Sequence, residues 1–283
     1  MAGFAMPIER DFGWPLKPTH STEFEIIERP NGQFCVVLNH SLLRGVTSEM
    51  IYWWFLNFPN LRVTLEDVPG YEAQTVAGYL LWHPSDHCSA SLSGNFGPNG
   101  ISQAGAKIHI REAMQFNTYA LKYPVDTALT IFYCASDGWA MGKSLPVIGK
   151  VMCLRIHFQD VIVDGNLIGV HYHYEVVIGA TGNNPLIRAF NARLTKEYSP
   201  EFFAAWHLHN TIEVGTFENF LPVLFAQRQG DAGYRYARGM NPIGALAAPQ
   251  SAQGPDLFRQ RVEGFKTAKD PFAYQAPEKS SFV

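Results

Sequence analysis

The sequence predicts an α+β fold in which a curved antiparallel sheet wraps one long helix near the carboxyl end. Three observations lead there. Several segments alternate apolar and polar side chains at the period of a strand. Two of them flank an Asp164-Gly165 pair, a strong hairpin-turn signal. The stretch 199–227 carries the longest helical pattern, and one shorter helical pattern lies early in the chain.

Residues 1 to about 30 hold Pro7, Pro15, Pro18 and Pro30 and read as an irregular arm. QFCVVLNHSL (33–42) reads as a strand. In TSEMIYWWFLNF (47–58), Thr47 or Ser48 can cap a helix in which Met50, Trp53, Trp54 and Phe58 recur at roughly helical spacing. YLLWHPSDH (79–87) reads as a strand end that breaks at Pro84 into a loop. KIHIREAM (107–114), DTALTIFYCA (126–135), VMCLRIHF (151–158) and LIGVHYHYEVVIG (167–179) read as strands. In the long helix Ser199 is the expected N-cap, Pro200 takes the first position and Glu201 favours the positive end. Pro222 is expected to kink or close it. The Gly-, Ala-, Pro- and Gln-rich stretch that follows is expected to be extended. The organisation expected is one domain over 1–228, with its N-terminal arm, and an extended segment over 229–283. A sheet gripping a helix leaves a pocket between them.

The 283 residues are 47% hydrophobic, with 20 Phe, 12 Tyr and 6 Trp, enough for a sizeable core. A formal charge of −3 without a Lys/Arg cluster argues against a nucleic-acid surface. The four scattered cysteines form no CxxC pair, which fits a reducing compartment. The start, MAGFAMPIERDFGW, lacks the pattern of a signal peptide, and no apolar run approaches about 18 residues. A cytoplasmic protein with no membrane span is the expectation.

Chemistry enters where polar residues sit on apolar faces. On a helical wheel Phe202, Trp206, His209, Glu213, Phe217, Phe220 and Leu224 fall within a stripe about 80° wide. A carboxylate in such a seam must be paired, protonated or bound to a cation. The plain reading of HxxxE is an i, i+4 pair; the sharper one is that His209 and Glu213 point at one metal ion. WHPSDH adds His83, Asp86 and His87. In KIHIREAM the alternation sets Glu112 in the apolar row with Ile108, Ile110 and Met114, and His109 and Arg111 on the other face.

MIYWWFLNF (50–58), YLLWHPSDH (79–87), the strand carrying Glu112 and HNTIEVGTFENFLP (209–222), in that order, resemble the zinc-dependent diacetylphloroglucinol hydrolase family, of which phloretin hydrolase is a relative. The resemblance spans about residues 45–225. It implies a helix-grip fold like that of the birch-pollen allergen and START domains, and Zn2+ held by two His and two Glu. Carried over, those are His87, Glu112, His209 and Glu213, with His83 as the rival to His87. Tyr79, eight residues before His87, then falls where the family has a substrate-contacting tyrosine. The family's asparagine just after the first histidine has no counterpart; Ala90 stands near there.

The implied reaction is hydrolysis of the carbon–carbon bond between an acyl group and a polyhydroxylated aromatic ring. The expected partner is therefore a small aromatic acyl ketone, and a homodimer is the assembly the tail allows. If each carboxylate binds through one oxygen, a neutral centre keeps room for water. The family is also similar in placing a His and a Tyr beside the metal. Counting outward from a two-residue Asp164-Gly165 turn sets His157 opposite Tyr172 on one face, and these two are expected to orient substrate hydroxyls or move protons. Trp53, Trp54, Tyr79 and Phe217 are candidates for the walls of an aromatic slot. The rival functions are a grip that holds a hydrophobic ligand without metal, an iron-dependent oxygenase and a Ser or Cys hydrolase. The second carboxylate fits a two-His-one-carboxylate iron site poorly, and no GxSxG is present.

Overall fold

The structure, a computed structural model, describes residues 9–66, 68–114, 123–227 and 234–236. A nine-stranded antiparallel sheet runs in the order β1 (Thr22–Glu28), β2 (Phe34–His40), β11 (Asn166–Ile178), β10 (Gly149–Val163), β9 (Gly138–Leu145), β8 (Tyr123–Ala135), β7 (Ala106–Met114) and β6 (His87–Gly94). The short β3 (Leu43–Arg44) also pairs with β11. A three-stranded sheet joins β12 (Tyr234–Tyr236), parallel, to β4 (Arg62–Leu65), which pairs antiparallel with β5 (Gln74–Ala77). The helices are α1 (Ser48–Asn57), the single turn α2 (Tyr79–Trp82), α3 (Pro185–Thr195) and α4 (Pro200–Ala226).

The curvature follows from what α4 touches. It packs on β1, β2 and β3 at one end of the strand order and on β7 near the other. Strands so far apart in the sheet meet one helix only if the sheet bends around it. Ser199 Oγ accepts from Phe202 N at 3.2 Å, and Pro200 fills a position whose N–H has no helical partner. The helix continues past Pro222 to Ala226, so that proline does not close it. In α1, Thr47 caps through its hydroxyl at 3.1 Å from Met50 N. Its buried face is Ile51, Trp54 and Phe55, continued by Phe58, rather than Met50 and Trp53.

Three segments differ from expectation. The arm is irregular only to Pro18; a 3-10 turn at Thr19–Ser21 leads into β1, whose edge position suits the charged TEFEIIE pattern. YLLW is helical, not extended: Gly78 takes helical dihedrals and its carbonyl accepts from Leu81 N at 2.8 Å, which turns both Tyr79 and Trp82 into the core. Asn184 caps α3 by accepting from Ile187 N at 2.9 Å, with Pro185 in its first turn. Of the segment 229–283, residues 234–236 form β12, and the remainder lies outside the described residues.

The β10–β11 hairpin decides one site residue. Asp164 (φ 50°) and Gly165 (φ 76°) supply the two positive dihedrals that a tight hairpin turn needs. Val163 faces Asn166 and Ile162 faces Leu167, but Val161 faces Gly169, so Ile168 is an extra residue in a bulge. Beyond it Phe158 faces Tyr172 and His157 faces His173. A shift of one residue exchanges the faces of a strand. Ile156 and Phe158 are buried inward, and His157 lies on the opposite face from Tyr172, away from the helix. The pairing of His157 with Tyr172 is thereby corrected. No helix among the described residues is long and apolar enough to cross a membrane.

Candidate metal centre

β6 begins at His87, which pairs directly with Glu112 of β7. The next register pair is Ser89 with Arg111, so Cys88 is bulged, and the bulge aims His87 at the helix side. Glu112 follows Ile108 and Ile110 along the inward row of β7. Opposite, His209 and Glu213 are buried one turn apart on α4.

These four side chains converge. His87 Nε2 lies 3.6 Å from Glu112 Oε1 and 3.4 Å from Glu213 Oε2. His209 Nε2 lies 3.7 Å from Glu112 Oε2 and 3.7 Å from Glu213 Oε2. A tetrahedral ion with bonds of about 2.0–2.2 Å separates its donors by roughly 3.3–3.6 Å. These spacings are too long for good hydrogen bonds and close to those of a shared cation. His87 Nε2 is buried without a hydrogen-bond partner. A fully buried imidazole nitrogen left unpaired between two carboxylates and a second imidazole fits a ligand set better than a closed ion pair.

The outer contacts prepare both histidines. His87 Nδ1 donates to the Tyr79 carbonyl at 2.8 Å, which leaves the Nε2 lone pair facing the centre, and the ring stacks on the Tyr79 phenol at 3.9 Å and 7°. His209 Nδ1 lies 2.9 Å from Asp86 Oδ2, the carboxylate–imidazole pairing that orients metal-bound histidines. His83 is placed differently. Its Nδ1 accepts from the Asp86 N–H at 3.1 Å, and its ring stacks on His209 at 4.6 Å. The WHPSDH turn therefore presents His87 to the centre and Asp86 to the back of His209, while His83, whose Nε2 is likewise buried without a hydrogen-bond partner, forms with Asp86 and His209 a second group of side chains that could hold an ion.

Electrostatics follow from burial. Burial pushes Glu213 up to about 7 and His87 down to about 4. Burial also opposes charge on His209, but the hydrogen bond with Asp86 and the nearby carboxylates outweigh it, so that ring is pushed up to about 9. The Tyr79 hydroxyl donates to Glu112 Oε1. Asn210 Nδ2 donates to Glu213 Oε1 at 2.6 Å.

The centre opens into a cavity of about 480 Å³ between sheet and α4, bordered by Glu112, His209 and Glu213. Its walls include Phe55, Phe58, Tyr79, Trp82, Ile110, Trp139, Met141, Leu154, Ile156 and Tyr174. None of the described lining residues is Lys or Arg. Of the expected wall residues, Tyr79 lines the cavity. Trp53 packs on Phe225 and Tyr234, and Trp54 and Phe217 are fully buried among other rings. Tyr172 faces inward but packs against His40 and Phe217; the next inward tyrosine, Tyr174, reaches the cavity instead. Sequence reasoning passed over Asn210 and Tyr174. The latter was visible only as part of an apolar row, and nothing in the spacing singled out the former.

No protein-family model matches the chain, and no curated protein sequence matches it. Among solved structures the chain is similar to protein Ms6760 from Mycobacterium smegmatis, at 11% identity over 68% of this chain and 96% of that one, with a TM-score of 0.36. It is similar to SA2116 from Staphylococcus aureus, a protein of unknown function, at 9% identity over 69% and 96%, with a TM-score of 0.33. It is also similar to Ara h 8.0201, at 12% identity over 66% and 98%, with a TM-score of 0.30.

Proposed function

We propose that this protein binds a neutral aromatic ketone in the cavity of a helix-grip fold and hydrolyses the bond between its acyl carbon and the ring. In this reading His87, Glu112, His209 and Glu213 hold a divalent ion, best zinc. Two neutral imidazoles and two carboxylates balance its charge, and the ion supplies Lewis acidity and a water of lowered pKa. The observation that carries the reading is the convergence of these donors around the unpartnered Nε2 of buried His87.

The reaction balances as ketone plus water giving a carboxylic acid and a ring C–H. A ring hydroxyl beside the acyl group lets the ring take a keto form, so the bond that breaks becomes that of a β-diketone and the leaving carbon departs as an enolate. The chain's own part is to orient and to move protons. The aromatic walls hold a ring flat against α4 and exclude water. Burial keeps the Tyr174 hydroxyl protonated, its pKa held well above the ordinary range, so it can donate to a ring oxygen or to the ring carbon. Tyr79 acts through Glu112, which it holds, as much as through substrate. A lining with Glu112, Asp126, Glu197 and Glu213 and no described Lys or Arg disfavours carboxylate substrates and favours release of the acid product.

A second reading shares the cavity but not the chemistry: a carrier for a hydrophobic ligand, favoured by the largely apolar walls. One experiment separates them. Metal analysis of the purified chain is expected to give one divalent ion, lost in His209→Ala and Glu213→Ala, with carboxylic acid released from acylated phloroglucinols. Metal content unchanged in both variants removes the centre. Tight binding of such ketones without turnover by the metal-loaded protein establishes the carrier.

A further inference from the structure

The two oxygens of Glu213 have different neighbours. Oε2 faces the imidazoles, 3.4 Å from His87 Nε2 and 3.7 Å from His209 Nε2. Oε1 accepts from Asn210 Nδ2 at 2.6 Å. Asn210 is itself fixed, because its Oδ1 lies 2.9 Å from His40 Nε2, and His40 Nδ1 lies 3.2 Å from Thr22 Oγ1. The amide nitrogen donates to a carboxylate, so Oδ1 must accept; His40 then carries its proton on Nε2 and accepts the Thr22 hydroxyl proton at Nδ1. Each bond in the run has one allowed direction. Thr22, His40 and Asn210 are 4%, 1% and 0% exposed, so bulk water cannot substitute for any of them. The run joins the cross-strand pair Thr22–His40 of β1 and β2 to the helix. On the opposite side of the centre the Tyr79 hydroxyl donates to Oε1 of Glu112, the oxygen 3.6 Å from His87 Nε2, while Oε2 lies 3.7 Å from His209 Nε2.

We propose that Asn210, locked by His40 and Thr22, is a positioning residue that restricts Glu213 to a single oxygen toward the divalent ion and so keeps a coordination position free for a substrate or water oxygen. The inference rests on the metal reading above. A carboxylate with both oxygens free can close on a cation through both. With both glutamates doing so, the four side chains occupy six positions and leave a small ion closed. With one oxygen each they occupy four, and an ion that expands to five ligands then keeps one position for an exchangeable oxygen. Asn210 touches neither the ion nor the cavity. It acts only through the carboxylate it holds.

The test uses cobalt(II) as the probe, because its visible absorption is strong at four or five ligands and weak at six. The wild-type chain and His40→Gln, whose amide nitrogen can still donate to Asn210, are expected to give the intense spectrum. Asn210→Leu and His40→Leu are expected to bind cobalt with a shifted spectrum and to lose the spectral response to added azide, because the second oxygen of Glu213 takes the free position. Either of the last two variants suffices if the other does not fold. Cobalt bound with a wild-type spectrum and a wild-type azide response in these variants overturns the inference and leaves the centre intact. Absence of stoichiometric cobalt in the wild-type chain overturns the centre, and the inference with it.

Discussion

Glu213 and His209 each hold a proton more tightly in the metal-free fold than in an unfolded chain, and this fixes a sign. His209 rises from 6.5 to about 9, so its contribution to stability is complete below about pH 6.5 and is lost as pH climbs toward 9. Glu213 rises from 4.5 to about 7, so its contribution is lost over that lower interval. His87 and His40 act oppositely: burial lowers them from 6.5 to about 4 and about 3, so their neutral forms add stability as pH rises toward 6.5. Among these four groups, only the two losses continue above about pH 6.5. Metal-free protein is therefore expected to melt at progressively lower temperature between about pH 6.5 and 9. Saturating zinc should remove that decline, since ligation replaces the proton on His209. Thermal melts in chelator and in zinc at three pH values check this; parallel curves would show that the proton and the metal do not share a site. The polar residues in apolar rows were legible because charge in a seam is costly wherever the chain folds. Asn210 was not legible, because an amide on a helix gives no such signal.

At the scale of elements, legibility depended on whether a local rule had a competitor. The capping of α1 and α4 by Thr47 and Ser199, and the Asp164-Gly165 turn, were readable because they depend on a few adjacent residues. The bulge at Ile168 was not, since nothing in LIGVHYH distinguishes an extra residue from a paired one, and it moved His157 to the other face. The bulge at Cys88 works the other way and brings His87 to the centre. The seam of α4 also bears weight apart from chemistry. Phe217 is fully buried, stacked on Trp82 at 5.4 Å and in ring contact with Trp54, Tyr172 and Phe220. Phe217→Ala should destabilise the metal-free fold by about 3–5 kcal/mol, from lost contact and the cavity left behind. Denaturant unfolding measures it, and a loss below about 1 kcal/mol would mean that α4 is not anchored through this cluster.

Across the whole molecule, the N-terminal arm, the helix and both ends of the sheet close on one interior. Lys17 of the arm pairs with Glu218 of α4 at 2.6 Å and reaches Ser41 Oγ and the Leu42 carbonyl beyond β2, tying helix to sheet below the centre. What remains open is the cavity, whose acidic end is the centre and whose other walls are mostly apolar. In the proposed reading metal and ligand take adjoining but separate volumes, so a substitution can fill one and spare the other. Ile110 points into the cavity two residues before Glu112 on the same face of β7, and it donates nothing to the four-residue set. Ile110→Trp should place an indole where the ring of a ketone would lie. Metal content should stay at the wild-type level, while affinity for a neutral aryl ketone, read by calorimetry on zinc-loaded protein, falls at least about tenfold, a loss of about 1.4 kcal/mol. Unchanged affinity would place the ligand outside the grip, and the adjacency of cavity and centre would then carry no functional meaning.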